Sequence, residues 1–329
     1  MQMNKTLTIE SFPRIHITLI GMNNDGYRIN GGIGFSIDSP VTKIYFELSK
    51  ENIIIDKREN GFNNDEMKKL LDILNTTKVK NNMKYGISCI IESKILPHYG
   101  LGSGTSIYLS CIEALFLLNN ISYDNKKIIY YSKRGGTSGI GINTYFNGGF
   151  VFDIGIKNQG DLLIPSSIAD REGKTPLCIY NGTLPDWKIG ICIPFFIENK
   201  SETEEKLFFQ QNCPIEKSHI LDILYESIYG ITSSILEEDY NIFSEAIIKI
   251  QKTRWKYLER KLYGDDLCEL EHQIIKYGAN CVGMSSLGPT LYFTGEDVNY
   301  INSMINKNIN NVKCYIVNMN NNGRKITYV

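Results

Sequence analysis

Three N-terminal segments, Thr6–Ser11, Arg14–Ile20 and Val41–Leu48, are rich in β-branched and aromatic residues and predict strands. Between the second and third lies Gly21–Gly34, whose five glycines and three asparagines predict a turn or an open loop. Residues 65–76 place Met67, Leu70, Leu71 and Leu74 on one helical face, and Tyr85–Ser93 returns to strand before a break near Ile95. Thr105–Leu118 is nearly all apolar and long enough for a buried helix. Asp124 can cap a short helix that ends near Lys133, and Phe150–Asp153 reads as a strand. Glycines and prolines scattered through 156–186 predict an irregular connection, followed by a strand at Trp187–Pro194. The next stretch is mostly helical, with Ile220, Leu224, Ile228, Ile231 and Ile235 forming one stripe and further helices over 240–262 and 265–277. Strand Leu291–Phe293, helix 296–306 and strand Asn311–Val317 close the chain and suggest an α+β second domain.

Composition narrows the function classes. A chain of 329 residues is long enough for two domains, and its net charge of -1 supplies no field to draw nucleic acid or an anionic membrane. An anionic substrate therefore needs local positive groups. The eight cysteines include no C-x-x-C pair and several sit in apolar runs, which favours buried reduced thiols in a cytoplasmic protein over a zinc site or a disulfide framework. No apolar stretch reaches bilayer-spanning length, and Met1–Lys5 lacks a signal-peptide core.

Four segments carry candidate chemistry. The first is 97–106, where Gly100, Gly102 and Gly104, with Ser103, Thr105 and Ser106, lead into the apolar helix. Glycines let backbone N–H groups approach a phosphate, and a helix N-terminus adds unpaired donors and partial positive charge. The hydroxyls add donors or a magnesium contact. A tight strand-to-helix turn is the alternative, although three glycines with three hydroxyls exceed what a turn requires. Lys94 and His98 flank this loop; each can face a ligand, His98 as a proton donor, or be a solvated lysine and a structural histidine. The second segment is Arg134-Gly135-Gly136-Thr137-Ser138, suited to bidentate anion binding or, alternatively, to a helix C-cap. In the third, Gly283–Thr290, Ser285, Ser286 and Thr290 can donate across a cleft or belong to a plain loop. In the fourth, Arg14 and His16 alternate with Ile15 and Ile17 and so share one strand face, and Arg28 and Asn30 follow.

Taken in chain order, these segments resemble the GHMP kinase superfamily, and within it the β-ribofuranosylaminobenzene 5′-phosphate synthase branch. The matching residues are Arg14-Ile-His-Ile-Thr-Leu19, Gly100–Thr105, Arg134–Gly141, Gly148-Gly-Phe-Val-Phe-Asp153 and Gly283–Thr290, with Glu204-Glu-Lys-Leu-Phe-Phe209 also similar. The resemblance implies an α+β, two-domain GHMP-kinase-like fold: a ribosomal-S5-like domain over 1–170 and a ferredoxin-like domain with extra helices over 171–329. Superfamily kinases carry an aspartate where this chain has Gly141, and glycine cannot accept a proton from a hydroxyl. The branch usually carries an acid where this chain has Gly21, and Asp25 is the nearby acid that could replace it through a shifted loop.

The implied activity is decarboxylative C-ribosyl transfer. 5-Phosphoribosyl pyrophosphate (PRPP) loses pyrophosphate, and a carboxylated aromatic ring attacks C1 with loss of carbon dioxide. The default acceptor is 4-aminobenzoate, on the route to methanopterin. 4-Hydroxybenzoate and the carboxylated rings of C-nucleoside synthesis, such as a pyrazole carboxylate, are further candidates. Mg²⁺ is the expected cofactor and a homodimer the expected assembly. The phosphates fall to Lys94, to Gly100–Ser106 and to Arg134–Ser138. His16, His98 and Arg28 are the catalytic candidates; Arg14, Asn30, Asp153, Ser285, Ser286 and Thr290 are assigned to the acceptor or the ribose. An ATP-dependent kinase with a relocated base and a non-catalytic ligand-binding homologue are the alternatives.

Overall fold

The computed structural model describes residues 6–93, 97–166, 168–169 and 173–328. The elements run β1 (Thr6–Ser11), β2 (Arg14–Gly21), β3 (Arg28–Ser36), β4 (Thr42–Ser49), β5 (Ile53–Asp56), α1 (Asn64–Lys80), β6 (Gly86–Ser93), α2 (Ser103–Leu118), α3 (Asn125–Ser132), α4 (Ile140–Asn147), β7 (Phe150–Asp153), β8 (Ile156–Lys157) and β9 (Cys178–Gly182). There follow β10 (Lys188–Pro194), α5 (Glu202–Asn212), α6 (Lys217–Tyr225), a π-helical turn (Glu226–Thr232), α7 (Ser233–Glu237), α8 (Tyr240–Lys252), α9 (Arg254–Lys261) and α10 (Gly264–Lys276). β11 (Ala279–Met284), β12 (Leu291–Gly295), α11 (Val298–Asn308), β13 (Val312–Asn318) and β14 (Lys325–Tyr328) complete the chain.

Three sheets result. One has the order β14-β1-β4-β6-β5, and a second has the order β2-β3-β7-β9 with β8 paired to β3. The third, β11-β12-β10-β13, joins β10 to β11 and β12 to β13 through helices and β11 to β12 by a short loop, in the ferredoxin-like manner, so the α+β expectation holds. The α2 helix, apolar on nearly every side, packs between α1, α3 and the first sheet, with Ile107, Cys111 and Leu115 against Leu7, Ile44 and Ile91. A second core joins β2 and β3 to the helices of the C-terminal half. There Trp255 is fully buried between Phe208 and Phe209, each ring centroid 5.4 Å away, and this draws α5 and α9 together. Strand β9 adds to the second sheet and β14 to the first, so both sheets include strands from beyond residue 170.

Several expectations need correction. Gly21–Gly34 is not an open loop: residues 28–34 lie in β3, where glycine admits close neighbours. A Cβ on Gly34 would lie 2.4 Å from the Ile15 carbonyl oxygen, and one on Gly32 2.6 Å from that of Thr18. The 156–186 connection contains β8 and β9, and α4 sits between the second glycine segment and β7. The 240–262 helix divides at Thr253, which is extended at ψ 154°. The isoleucine stripe loses its register in the π turn, which turns Ile228 outward and seats Gly230 against Ala246. The chain ends in β14, beyond the strand expected to close it.

One polar network ties that C-terminal strand to the α2 core. Glu113 is fully buried; it accepts from the Tyr123 hydroxyl at 2.8 Å, the Tyr145 hydroxyl at 2.7 Å and the Arg324 guanidinium. Arg324→Ala leaves that carboxylate without its cation, which should cost roughly 3 kcal/mol. Tyr145→Phe removes only one donor and should cost about 1 kcal/mol. Thermal midpoints of the two variants check the ordering.

Candidate active site

Three distant segments meet at one carbonyl. Arg14 Nη1 donates to the Gly100 carbonyl oxygen at 2.6 Å, and the Ser285 hydroxyl donates to the same oxygen at 2.7 Å. The His16 backbone N–H donates to the Ser285 hydroxyl oxygen at 3.1 Å, and the Ser286 N–H to the His16 carbonyl at 2.9 Å. Gly100 has φ 82°, and a Cβ there would lie 2.2 Å from the Ser285 carbonyl oxygen. The loop before α2 and the loop after β11 are thus packed backbone against backbone, with the start of β2 beside both.

The interlock aims the N-terminus of α2 into a cleft. Gly102, at φ 78°, is its cap and offers no side-chain acceptor, so the first amides of this sixteen-residue helix are open. The outer cavity, about 150 Å³, is lined by this loop with Arg14, Lys69, His98, Arg134 and Ser286. An inner cavity of about 70 Å³ continues from it, lined by Arg14, His16, Thr137, Ser138, Ser286 and the apolar Leu19, Phe209 and Leu287. The Arg134 guanidinium stacks 3.7 Å from the centre of the Tyr108 ring. His16 Nε2 lies 3.0 Å from the Ser138 hydroxyl.

Burial sets the electrostatics. It pulls Arg14 down to about 10 and lowers Arg134, and both remain cations at neutral pH. His16 is held well below its ordinary value by burial and by the nearby Arg14 and Lys256, so its imidazole is neutral. The hydrogen bond from His98 to Glu66, at 2.7 Å, raises the His98 pKa. The acids of the cleft are Glu66, Glu202, Glu205 and Glu259, and burial pushes Glu205 up to about 7.

Of the anticipated residues, Arg14, His16, His98, Gly100, Gly102, Ser103, Gly104, Thr105, Arg134, Thr137, Ser138 and Ser286 line the two cavities. Several of the others need correction. The Arg28 guanidinium donates to the carbonyls of Ile154 at 3.0 Å and Gly155 at 2.6 Å, and so braces a turn. Asp153 is buried and accepts the amides of Gly139 at 2.8 Å and Gly155 at 2.9 Å. The Ser106 hydroxyl donates within its own helix turn, and Ser285 is buried in the interlock. Asn30 and Thr290 are buried away from both cavities. Gly135 and Gly136 serve packing, since a Cβ on Gly136 would lie 2.5 Å from that of Ala169. Thr137 lines the inner cavity, yet its hydroxyl donates to the Ile164 carbonyl at 2.7 Å. Asp25 does not replace the acid missing at Gly21: it is exposed and accepts from Asn23. Lys94 lies outside the described residues. Glu205, Lys69 and Glu259 carry no motif signal of their own; the Glu204–Phe209 match was the nearest clue to the first.

Relatives fit this geometry. The family described as GHMP kinases N terminal domain matches residues 67–147, the stretch that runs from within α1 to the end of α4. A β-ribofuranosylphenol 5′-phosphate synthase of Archaeoglobus fulgidus is 30% identical over 289 residues, covering 87% of each chain. The chain belongs to the β-ribofuranosylphenol 5′-phosphate synthase family. It is an enzyme that transfers a pentosyl group, a ribosyl phosphate. A relative of the same name from Methanothermobacter thermautotrophicus is 28% identical over 295 residues, covering 88% of this chain and 89% of that one. Two solved structures share the fold over nearly the whole chain. Homoserine kinase of Cytophaga hutchinsonii has a TM-score of 0.70 at 14% identity over 99% of both chains. Mevalonate diphosphate decarboxylase of Enterococcus faecalis has 0.65 at 13%, over 99% of this chain and 100% of that one.

Anion binding in the cleft should weaken as pH rises. His98 is charged below its raised pKa and neutral above it, while Glu205 is neutral below about 7 and charged above. Both changes make the cleft more negative with rising pH. Sulfate, which does not titrate in this range, should bind more weakly at about pH 8.5 than at about pH 6. His98→Gln and Glu205→Gln should each shrink that difference in calorimetric titrations.

Proposed function

We propose that this enzyme joins C1 of ribose 5-phosphate, taken from PRPP, to a carboxylated aromatic ring, with release of pyrophosphate and carbon dioxide. The carrying observation is the pairing of two cavities: an outer one formed by an uncapped helix N-terminus and cations, and an inner, mostly polar one that has Leu19, Phe209 and Leu287 on part of its wall and shares Arg14 with the outer one. The first suits the departing pyrophosphate, and the second suits a flat ring whose carboxylate meets a guanidinium. The name of the relatives specifies a phenol product, which favours 4-hydroxybenzoate over 4-aminobenzoate or a pyrazole carboxylate. Transfer of phosphate from ATP is less well supported, because a Cβ on Gly141 would meet Thr105 at 3.2 Å and the position beside the phosphate loop carries no carboxylate.

Arg134 and the amides of Ser103, Gly104 and Thr105 neutralise the pyrophosphate as its bond to C1 breaks. Arg14 orients the acceptor carboxylate, and Leu19, Phe209 and Leu287 keep water from the cationic sugar. Neutral His16, hydrogen-bonded to Ser138, can orient the ring substituent. Among the described residues no cluster of three or more acidic, His or Cys side chains could hold a metal. The donor set suits Mg²⁺ carried mainly by pyrophosphate oxygens, with Ser103 and Thr105 hydroxyls as protein contacts. When bound, Mg²⁺ would offset charge on the leaving group. A homodimer belongs to the same reading and is supported by the outer face of α6 to α7, where Leu221, Tyr225, Tyr229 and Leu236 are exposed.

Incubation with PRPP and each ring acid should yield pyrophosphate and carbon dioxide only when both substrates are present, and fastest with 4-hydroxybenzoate. Consumption of ATP without use of PRPP would sink the proposal. Arg134→Ala should weaken PRPP binding roughly tenfold or more, the loss of a charged hydrogen-bonding group; unchanged affinity would remove Arg134 from the site.

A further inference from the structure

Five residues line both cavities: Arg14, Ser166, Glu205, Ser286 and Leu287. They mark the junction between the pyrophosphate end and the ring end, where C1 of the sugar must lie if the proposed reaction is correct. Glu205 is the only carboxyl among them. It reaches this position because Phe208 and Phe209, one turn further along α5, pack on Trp255 and hold the helix against the cleft.

Its surroundings set it apart from the other acids of the cleft. Glu66 is hydrogen-bonded to His98 at 2.7 Å, Glu202 is paired with Lys69 at 3.4 Å and Glu259 with Lys256 at 2.6 Å. Among the described residues no donor hydrogen-bonds the Glu205 carboxyl. The charges it senses are longer-range: Arg14 on β2 and His98 in the phosphate loop attract, while Glu202 on its own helix and Glu259 on α9 repel. A carboxyl with no partner among the described residues, in a cleft built for anions, opposes phosphate binding, so its presence calls for a partner that is positive. In the proposed reaction the one positive centre that forms at this junction is the sugar itself.

We propose that Glu205 is a catalytic residue whose carboxylate faces C1 of the ribose and stabilises its positive charge as pyrophosphate departs. The inference rests on the PRPP reading above. The C1–O bond breaks with its electron pair leaving on pyrophosphate, and C1 becomes cationic beside the carboxylate. A π pair of the ring carbon that bears the acceptor carboxylate forms the new C–C bond. The bond to that carboxylate then breaks, its pair restores the aromatic ring, and carbon dioxide leaves. No net proton, oxidant or further reactant is needed, and Glu205 forms no covalent bond. A carboxylate set at a developing oxocarbenium ion acts only as strongly as its site excludes water. Here Leu287 and Phe209 stand beside it.

The test is Glu205→Gln in the full chain, assayed with PRPP and 4-hydroxybenzoate. Turnover should fall roughly 10²-fold, while pyrophosphate should bind as well as or better than before, because a repelling charge is gone. Glu205→Asp should recover part of the lost turnover. A merely structural role would instead lower the thermal midpoint and weaken pyrophosphate binding together, and that result would overturn the inference. So would Glu205→Gln turnover within about threefold of the parent, well short of that expected loss. If Glu205→Gln fails to fold, Glu205→Asp alone decides: reduced turnover at unchanged PRPP affinity supports the role, and unchanged turnover overturns it. If the parent enzyme consumes no PRPP with any ring acid, the underlying reading fails and this inference fails with it. Normal parent turnover with an active Glu205→Gln sinks this inference alone.

Discussion

The Gly100 carbonyl oxygen is the point on which the rest of the site depends. It accepts from the Arg14 guanidinium and from the Ser285 hydroxyl, and so binds together three segments separated by 86 and 185 residues. Neither loop has regular structure to hold it. Each is kept in place by the other's backbone at a separation that only glycine allows, at Gly100 on one side and Gly288 on the other. The hydrogen bonds that join them are partly buried, which strengthens them and makes the loss of either partner costly. Lys256 secures the arrangement from behind, donating to the Met284 carbonyl at 2.8 Å while paired with Glu259.

From that joint follows the polarity of the cleft. The amides of α2 can point into the cavity because the helix body behind them is buried in its own core and cannot tilt without opening it. The helix is anchored again at its middle, where Glu113 receives Arg324 from the C-terminal segment and two tyrosine hydroxyls. That acid lies close to the phosphate loop in sequence, yet it is wholly occupied in attaching the chain's end to the first sheet. Arg14, Lys69, His98 and Arg134 line the outer end of the cleft together with three glutamates, and Leu19, Phe209 and Leu287 form part of the wall of its inner, mostly polar end. A reaction that expels a polyanion from a sugar while a flat ring approaches it has matching requirements.

The electrostatics also separate side chains that look equivalent on paper. Arg14, Arg28 and Arg134 all lie in glycine-rich company in the sequence, but Arg28 closes a turn against two carbonyls, while Arg14 and Arg134 face the cavity. His16 and His98 differ likewise. Burial among cations leaves the first neutral, and a hydrogen bond to Glu66 favours the charged form of the second. Each pair is told apart by neighbours that lie far away along the chain.

The sequence by itself determined the glycine-rich loop, the buried helix behind it and the family, because these depend on local pattern: glycines and hydroxyls ahead of an apolar run, and motifs in a set order. It also supported most strands and helices, where side-chain periodicity is a property of neighbouring residues. It misread β3, since glycines that usually break strands are required there by the closeness of Ile15 and Thr18 on the adjoining strand. It missed β14 and the π turn, whose partners lie at β1 and at Ala246. The site was legible to the same extent. Arg14, His16, Arg134 and the Gly100–Thr105 loop belong to short motifs and were visible, whereas the diversion of Arg28 and Asp153 to backbone groups was not. Glu205 faces the cleft only because two phenylalanines beside it pack on a tryptophan some fifty residues on. Local chemistry is written in the order of residues; which side chain meets the substrate is decided by packing between residues distant in sequence, and only the tertiary structure contains that.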